Sequence, residues 1–329
     1  MKRREFISLL GGAAAAWPLA ARAQQRGERQ IGVLMGMVEN DPEARLRIAA
    51  FRQGLREAGW TEGRNIHIEF RWAADEPNRA RTYAAELVAS APDVIVVHAP
   101  HTLAAVQQQT RTLPILFVQV PDPVGQGFIA SLAQPGGNTT GFASFEDSIS
   151  AKWLELLKEL VPLAKRVGII RVPGTASSSQ SLMGAIEAVA SSLKVQLSAA
   201  EVRDLAEIDS AFDMLSRASI GGLVVMPDPT TLAHRDRIIE LAAEKKIPAV
   251  YPYRYFAADG GLLSYGPIIT DIWRRTAYYV DRILKGSKPA DLPVQNPTKF
   301  ELVVNLRTAK ALGIELPLSP LMRIDVVIE

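Results

Sequence analysis

The sequence of 329 residues contains no cysteine and only four histidines. Without cysteine the chain forms no disulfide, has no thiolate nucleophile and cannot carry the lipid-bearing cysteine of exported lipoproteins. His98 and His101 stand three residues apart after the apolar stretch Val94–Val97, whereas His67 and His234 belong to other segments. A zinc site needs three or four ligands. We therefore predict no metal site.

Charge of either sign is not in excess. The formal net charge is +2, and the first 23 residues contain four basic residues and one acidic residue, so 33 basic and 34 acidic residues remain beyond them. Because a nucleic-acid-binding domain usually carries a clear basic excess, we predict no nucleic-acid partner.

Catalytic motifs such as G-x-S-x-G and H-E-x-x-H are absent as well, which favours a binding protein over an enzyme.

The N-terminal apolar stretch, residues 6–20, is short for a membrane span. As a helix it would reach only about 22 Å, against the ~30 Å hydrocarbon core of a bilayer. It follows the basic start Lys2–Arg4 and precedes Ala21-Arg22-Ala23, a small-x-small cleavage pattern. We therefore predict that residues 1–23 are an export signal peptide, cleaved after about Ala23, and that the mature protein is periplasmic. A membrane anchor is the alternative, and both the Sec and the Tat export routes stay open.

Beyond Gln30 the sequence alternates strand-like and helix-like segments. Ile31–Met37 is a near-continuous apolar run, typical of a buried parallel strand. Asp41-Pro42 then provides a helix N-cap and a first-turn proline. A second series of strand candidates starts after Ser148, near Val167, Val195, Leu223 and Ala249. This alternation predicts an α/β protein with two doubly wound parallel-sheet lobes.

We expect the N-terminal lobe to comprise residues 30–145 and about 260–290, and the C-terminal lobe to comprise residues 146–258 and about 291–329. The last part of the chain contains an amphipathic helix from Trp273 to Leu284, a proline-rich segment and the late strand Phe300–Asn305. Such a long tail can recross between the lobes and form a multi-strand hinge.

Several long motifs carry a resemblance to a known family. They are DPVGQGFIASLAQPGGNTTGF (122–142), GGLLSYGP (260–267), YVDRILKGSKPADLPVQNPTKFELVVNLRTAKALGI (279–314) and the closing RIDVVIE. The sequence resembles the ABC-transporter substrate-binding proteins, in the branch with tryptophan- and tyrosine-binding members. This resemblance implies a type I periplasmic-binding-protein fold with three hinge crossings, a ligand held between two lobes, and delivery to a membrane permease.

Ligands of open parallel sheets bind beyond the carboxyl ends of the strands. In both lobes these ends carry side chains that suit a small polar or amphipathic molecule. The candidate ligand-binding residues are Met37, Asn40, His101, Thr102, Gln119 and Asp122 in the first lobe, and Ser177, Ser178, Ser179, Asp228, Tyr251 and Tyr253 in the second.

The second-lobe candidates suggest an amino acid or a related carboxylate. The serines Ser177–Ser179 stand where a helix begins, and hydroxyls with free N–H groups there suit a carboxylate. Asp228 could pair with a ligand ammonium, and the tyrosines could form an aromatic wall. Each residue also has a purely structural interpretation: N-capping for the serines, for Asp228 and for His101 or Thr102, and hinge packing for the tyrosines.

One motif suggests a dinucleotide cofactor. Gly125–Ala130 fits the pattern G-x-G-x-x-A, but Pro121-Asp122-Pro123 separates it from the preceding strand, and a true fingerprint opens its helix directly after the strand. We therefore predict no cofactor.

These observations favour a periplasmic substrate-binding protein that captures a small solute between two lobes and passes it to an ABC permease. A monomer suffices, because one chain supplies both lobes. The alternatives are a ligand sensor for a membrane signalling partner and an exported α/β enzyme.

Overall fold

The computed structural model describes residues 28–74, 76–146, 148–173, 177–315 and 324–329. The predicted signal peptide, residues 1–23, lies outside these ranges. Among the described residues, no helix combines the length and the apolar composition that a membrane span requires.

The first sheet consists of five parallel strands in the spatial order β2-β1-β3-β4-β5. Its strands are β1 (Arg29–Met35), β2 (Ile66–Trp72), β3 (Val94–His98), β4 (Ile115–Val120) and β5 (Thr139–Ala143). The central strand β3 is buried along its whole length, as expected of a strand covered by helices on both faces. On the edge strand β2, buried Ile66 and Ile68 flank exposed His67.

The second sheet has seven strands in the order β12-β11-β10-β9-β8-β6-β7. Its strands are β6 (Arg166–Arg171), β7 (Gln196–Glu201), β8 (Gly222–Val225), β9 (Ala249–Tyr251), β10 (Leu263–Pro267), β11 (Phe300–Asn305) and β12 (Val326–Ile328). All neighbours are parallel except β10 and β11, which are antiparallel. Two parallel-dominated sheets confirm the predicted fold class.

Helices follow most strands and cover the sheets. In chain order they are α1 (Pro42–Glu57), α2 (Pro77–Ala89), α3 (Pro100–Gln109), α4 (Ile149–Leu160), α5 (Ser177–Ala190), α6 (Leu205–Arg217), α7 (Pro229–Ala233), α8 (Arg235–Glu244), α9 (Arg254–Ala258), α10 (Ile269–Leu284) and α11 (Leu306–Ala311). A short 3-10 helix spans Pro289–Asp291. Helix α1 begins as expected: Asp41 is the N-cap, its carboxylate accepts a hydrogen bond from Glu43 N at 2.8 Å, and Pro42 occupies the first turn.

The chain crosses between the lobes three times, after β5, after β10 and before β11. Helix α10 packs in the first-lobe core, where Trp273 is fully buried. The backbone of Gln295 then pairs with β5, since its N–H donates to Gly141 O at 3.0 Å and its carbonyl accepts from Ala143 N at 2.9 Å. The three crossings agree with those that the family resemblance implies.

The structure corrects one lobe boundary. The sequence pattern places residues about 260–290 in the N-terminal lobe, but β10 (263–267) lies inside the second sheet, between β9 and β11. Its side chains are buried on both faces of that sheet, apart from half-buried Tyr265. The chain therefore returns to the first lobe only at α10, and it stays there through Gln295 rather than leaving at about residue 291.

Candidate functional site

A cavity of about 360 Å³ lies between the two lobes, at the carboxyl ends of their strands. Both lobes contribute to its wall. From the first lobe come Gly36, Met37, Val38, Asp41, Glu43, Arg47, Ala74, His98, Ala99, Pro100, Gln119, Pro121 and Gln126. From the first crossing and the second lobe come Ser144, Phe145, Val172, Ser179, Leu182, Met226, Pro227, Asp228, Pro229, Leu232, Ala233, Arg235, Tyr253 and Tyr255.

Five of the twelve candidate residues lie on this wall: Met37, Gln119, Ser179, Asp228 and Tyr253. Helix α5 begins at Ser177, but the side chains of Ser177 and Ser178 lie outside the described part of the chain. The remaining five candidates do not line the cavity, and the contacts of each are described below.

Thr102 and Tyr251 are buried inside the lobes. The Thr102 hydroxyl donates towards the carbonyls of His98 and Ala99, at 2.5 and 2.9 Å, and so closes the first turn of α3. Tyr251 is 1% exposed and stacks on Phe256 with ring centroids 4.9 Å apart. Thr102 therefore supports the start of α3 without capping it, and Tyr251 packs in the second-lobe core rather than at the hinge.

Asn40, His101 and Asp122 lie beside the cavity. Asn40 is exposed and its side-chain oxygen accepts a hydrogen bond from Arg45 Nη2 at 3.3 Å. His101 packs on Gly36, where a Cβ atom would come within 2.7 Å of its ring carbon Cε1. The Asp122 carboxylate accepts from Gly125 N at 2.8 Å and stabilises a turn.

Gln119 is held by the hinge-side helix of its own lobe. Its backbone has a φ of +58°, in the left-handed region that residues with a Cβ rarely adopt. Its side-chain oxygen accepts a hydrogen bond from Trp273 Nε1 on α10, at 3.1 Å. This contact fixes the orientation of the Gln119 amide at the cavity wall.

Arg47 is the main polar residue that the sequence pattern missed. It projects from α1, is only 5% exposed, and lines the cavity. Its Nη1 atom lies 3.1 Å from His98 Nε2 and 2.7 Å from Met37 Sδ. In the sequence Arg47 stands between Ala44 and Phe51, within the apolar stripe of the predicted helix, and a charge inside such a stripe was the available signal.

Burial lowers the pKa of His98 well below its usual value, and the nearby charge of Arg47 lowers it further. The imidazole is therefore neutral at physiological pH. Because the Arg47 guanidinium can only donate hydrogen bonds, His98 Nε2 must accept, and the ring proton resides on Nδ1. The first-lobe wall thus presents a cation supported by a neutral acceptor.

The second-lobe wall carries the carboxylate of Asp228, two tyrosine rings and Arg235, which pairs with Asp259 at 2.9 Å. Asp228 caps α7, and its carboxylate accepts from Thr230 N at 2.8 Å. Burial raises the pKa of this carboxyl. The rings of Tyr253 and Tyr255 stack with centroids 5.2 Å apart, and burial raises the pKa of both phenols, so both carry neutral hydroxyl groups. Tyr255 was not among the predicted residues.

The described residues contain no group of three or more histidine, cysteine, aspartate or glutamate side chains that could hold a metal ion. The polar groups of the cavity are instead two arginines, one neutral histidine, two glutamine amides, two serine hydroxyls, carboxylates and phenols. Such a set can recognise an organic molecule that carries charged ends and an apolar body.

Comparisons with known proteins also indicate a protein that binds a small molecule. Residues 31–327 match the model of a family described as ABC transporter substrate binding protein. A tyrosine-binding protein of Clostridioides difficile (strain R20291) is 26% identical over 294 residues, which cover 89% of this chain and 84% of that protein.

Two solved structures superpose over 92% of this chain and 100% of their own. A conserved domain protein from Vibrio cholerae is 30% identical with a TM-score of 0.83. The ABC domain from Streptococcus pneumoniae, crystallised in complex with L-Trp, is 26% identical with a TM-score of 0.81.

Proposed function

The chain belongs to the family of ABC transporter substrate-binding proteins and has a type I periplasmic-binding-protein fold. We propose that it captures a small solute between its lobes in the periplasm and delivers this solute to an ABC permease in the inner membrane. The observation that carries the proposal is the cavity whose wall comes from the carboxyl-end loops of both sheets. The role is one of binding rather than catalysis, and one chain supplies the complete site.

The proposed solute is an amino acid or a related carboxylate, with an aromatic side chain as the first choice. Asp228 on the second-lobe wall suits an α-ammonium group, because burial strengthens a charge-assisted hydrogen bond. Tyr253, Tyr255 and Phe145 offer aromatic surface for the side chain. The tyrosine-binding relative and the L-Trp complex of the S. pneumoniae protein support this class.

The proposed mechanism is a population shift between open and closed forms. A solute that touches both walls binds the closed form more tightly, whereas a solute that touches one wall shifts nothing. To move a 1:99 equilibrium to 99:1 the solute must favour the closed form by roughly 5.5 kcal/mol. A few charge-assisted hydrogen bonds and one buried aromatic ring are of this size, at about 1.5 to 3 kcal/mol each.

The test is a thermal-shift screen of the mature protein, residues 24–329, followed by calorimetry. We expect L-tyrosine or L-tryptophan to raise the melting temperature by a few degrees, since a ligand at 100 times its Kd stabilises by about 2.7 kcal/mol. Asp228→Asn keeps an oxygen that can cap α7 but removes the charge, and we expect it to weaken binding of these amino acids at least tenfold.

The amino-acid class would be excluded if no amino acid stabilised the protein. Binding that is unchanged in Asp228→Asn would exclude Asp228 as the ammonium site while leaving the amino-acid class intact. Loss of solute uptake in cells that lack the gene, restored by the intact chain, tests delivery to the permease separately.

A further inference from the structure

Arg47 is a buried cation without an anionic partner. It is 5% exposed, yet among the described residues no carboxylate oxygen lies within the 4.0 Å ion-pair distance of its guanidinium. Arg52, one turn and a half further along the same helix, pairs with Glu62 at 3.0 Å. A guanidinium buried without a counter-charge destabilises the protein unless something compensates it.

The direct contacts of Arg47 supply no negative charge, although the Glu43 carboxylate interacts with it electrostatically over a longer distance. Within the described residues it makes hydrogen bonds from Nη1 alone, to the neutral imidazole of His98 and to the weakly accepting sulfur of Met37. Its Nε atom is buried and has no hydrogen-bond partner. A guanidinium has five N–H donors in a planar fork, so Arg47 keeps donors available for a bound molecule.

Arg47 lines the first-lobe wall, and its positive charge reaches Tyr253 and Tyr255 of the second lobe, where it partly offsets the burial that raises the pKa of their phenols. Glu43 also lines the cavity one turn earlier on α1, but it forms no ion pair with Arg47 within 4.0 Å. The other arginine of the cavity, Arg235 in the second lobe, pairs with Asp259 at 2.9 Å. Arg47 is thus the cavity arginine without an ion pair among the described residues, and Asp228 provides a carboxylate on the opposite wall.

We propose that Arg47 is a specificity-determining residue that binds a carboxylate of the solute from the first-lobe wall. Together with Asp228 it reads the two charges of a zwitterion from opposite lobes, so that only a molecule carrying both charges is held by both walls. This inference rests on the proposed amino-acid class. It assigns recognition of the carboxylate to Arg47 instead of to the serines at the start of α5.

Matched acid and amide probes test this assignment by calorimetry. L-tyrosine against L-tyrosinamide examines the α-carboxylate, and L-glutamate against L-glutamine examines a side-chain carboxylate. For the wild-type protein we expect the acid of at least one pair to bind about 10- to 100-fold more tightly than its amide, as one lost charge-assisted contact predicts. The pair that shows the preference identifies which carboxylate Arg47 binds.

Variants separate recognition from structural support. Arg47→Met fills a similar volume without charge, and we expect it to bind acid and amide equally while the ligand-free protein stays at least as stable as wild type. Arg47→Lys keeps the charge without the planar fork and should restore part of the preference. Arg52→Met, on the same helix but at the surface, is the matched control and should leave both affinities unchanged.

The possible outcomes are distinct. If amides bind as tightly as acids, or if the acid preference survives in Arg47→Met, the assignment of Arg47 is wrong while the substrate-binding function stands. The same holds if Arg47→Met lowers the stability of the free protein and weakens acid and amide alike, because Arg47 would then only support His98 and Met37. If no probe binds to the wild-type protein, the amino-acid class fails together with this inference.

Discussion

His98 and His101 are neighbours in the first lobe, and burial is the first cause that lowers the pKa of each imidazole. In the unfolded chain both side chains take up a proton near pH 6.5. Below that pH the unfolded state binds protons that the folded state resists, so the free energy of unfolding falls as the solution is acidified. Above about pH 6.5 neither histidine contributes to this dependence.

Replacement of His98 by glutamine should weaken this pH dependence. Glutamine can still accept a hydrogen bond from Arg47 but does not titrate. Between pH 6.5 and the folded-state pKa, one such histidine steepens the loss of stability by at most about 1.4 kcal/mol per pH unit. The measurement is urea unfolding at pH 7.5 and 5.5 for wild type and His98→Gln.

Two controls sharpen the comparison. His67→Gln changes an exposed histidine on β2 and should leave the difference between the two pH values as in wild type. Burial raises the pKa of Asp228 and of Glu43, so these two carboxyls make the free energy of unfolding rise as the pH falls. They do so in every variant, and the comparison between variants therefore isolates the effect of His98. An equal loss of stability in wild type and His98→Gln would show that His98 is not buried neutral.

Among the residues of the cavity wall, the sequence predicted some that lie near strand ends and missed those that lie on helices. Met37 and Gln119 lie on the cavity wall because they are close to the carboxyl ends of buried strands, Met37 two residues after β1 and Gln119 one residue before the end of β4. Arg47 and Tyr255 lie on helices α1 and α9, and whether such residues face the cavity depends on how the helix rotates against its sheet and on where the other lobe lies. Periodicity gives the buried face of a helix but not these two quantities.

Helices α1 and α10 pack against each other in the first lobe, although more than 200 residues separate them. Gly54 permits this approach: a Cβ atom there would collide with the carbonyl oxygen of Arg274 and lie 2.8 Å from the Cβ of Ala277. Arg274 and Glu57 add an ion pair of 2.8 Å at the edge of this contact. The helix that returns from the second lobe is thus anchored on the helix that carries Arg47.

Gly54→Ala should therefore destabilise the protein despite the higher helix propensity of alanine. Overpacking of a helix contact typically costs about 1 to 3 kcal/mol. Gly184 in α5 is the matched control, because a Cβ atom there meets nothing within 4 Å, and Gly184→Ala should stabilise by about 0.5 to 1 kcal/mol. Urea unfolding of both variants checks the pair. A stabilising effect at Gly54 would mean that the two helices lie further apart than described.

The elements themselves followed well from local chemistry. The cap and first-turn proline of α1 occur where the sequence predicts them. The sheet that a strand joins was harder to predict, as β10 shows. The sequence of β10, Leu-Ser-Tyr-Gly-Pro, has no continuous apolar run, and local sequence does not indicate between which neighbours a strand lies.

On the scale of the whole molecule, the two sheets present their carboxyl ends to one shared cavity, and the chain crosses between them three times. Several crossings restrict twisting and leave hinge bending as the easy relative motion of the lobes. The number of lobes and the presence of several crossings could be predicted from the alternation of elements and the long C-terminal tail. The positions of the crossings could not, because they depend on long-range packing such as that of Trp273 and Gln295.

The absence of cysteine allows a direct measurement of lobe closure. Spin labels can be attached to cysteines introduced at exposed Leu46 on α1 and exposed Ala243 on α8, one in each lobe. A second pair at Leu46 and exposed Ala85, both in the first lobe, is the control. Melting temperatures of the labelled variants should first match that of the wild type.

Distances between the labels, measured by pulsed electron resonance with and without saturating L-tyrosine or L-tryptophan, test the central claim. We predict that the bound amino acid shortens and narrows the distribution between the lobes and leaves the control pair unchanged. An identical distribution between the lobes, with the amino acid bound, would contradict capture by closure of the two lobes.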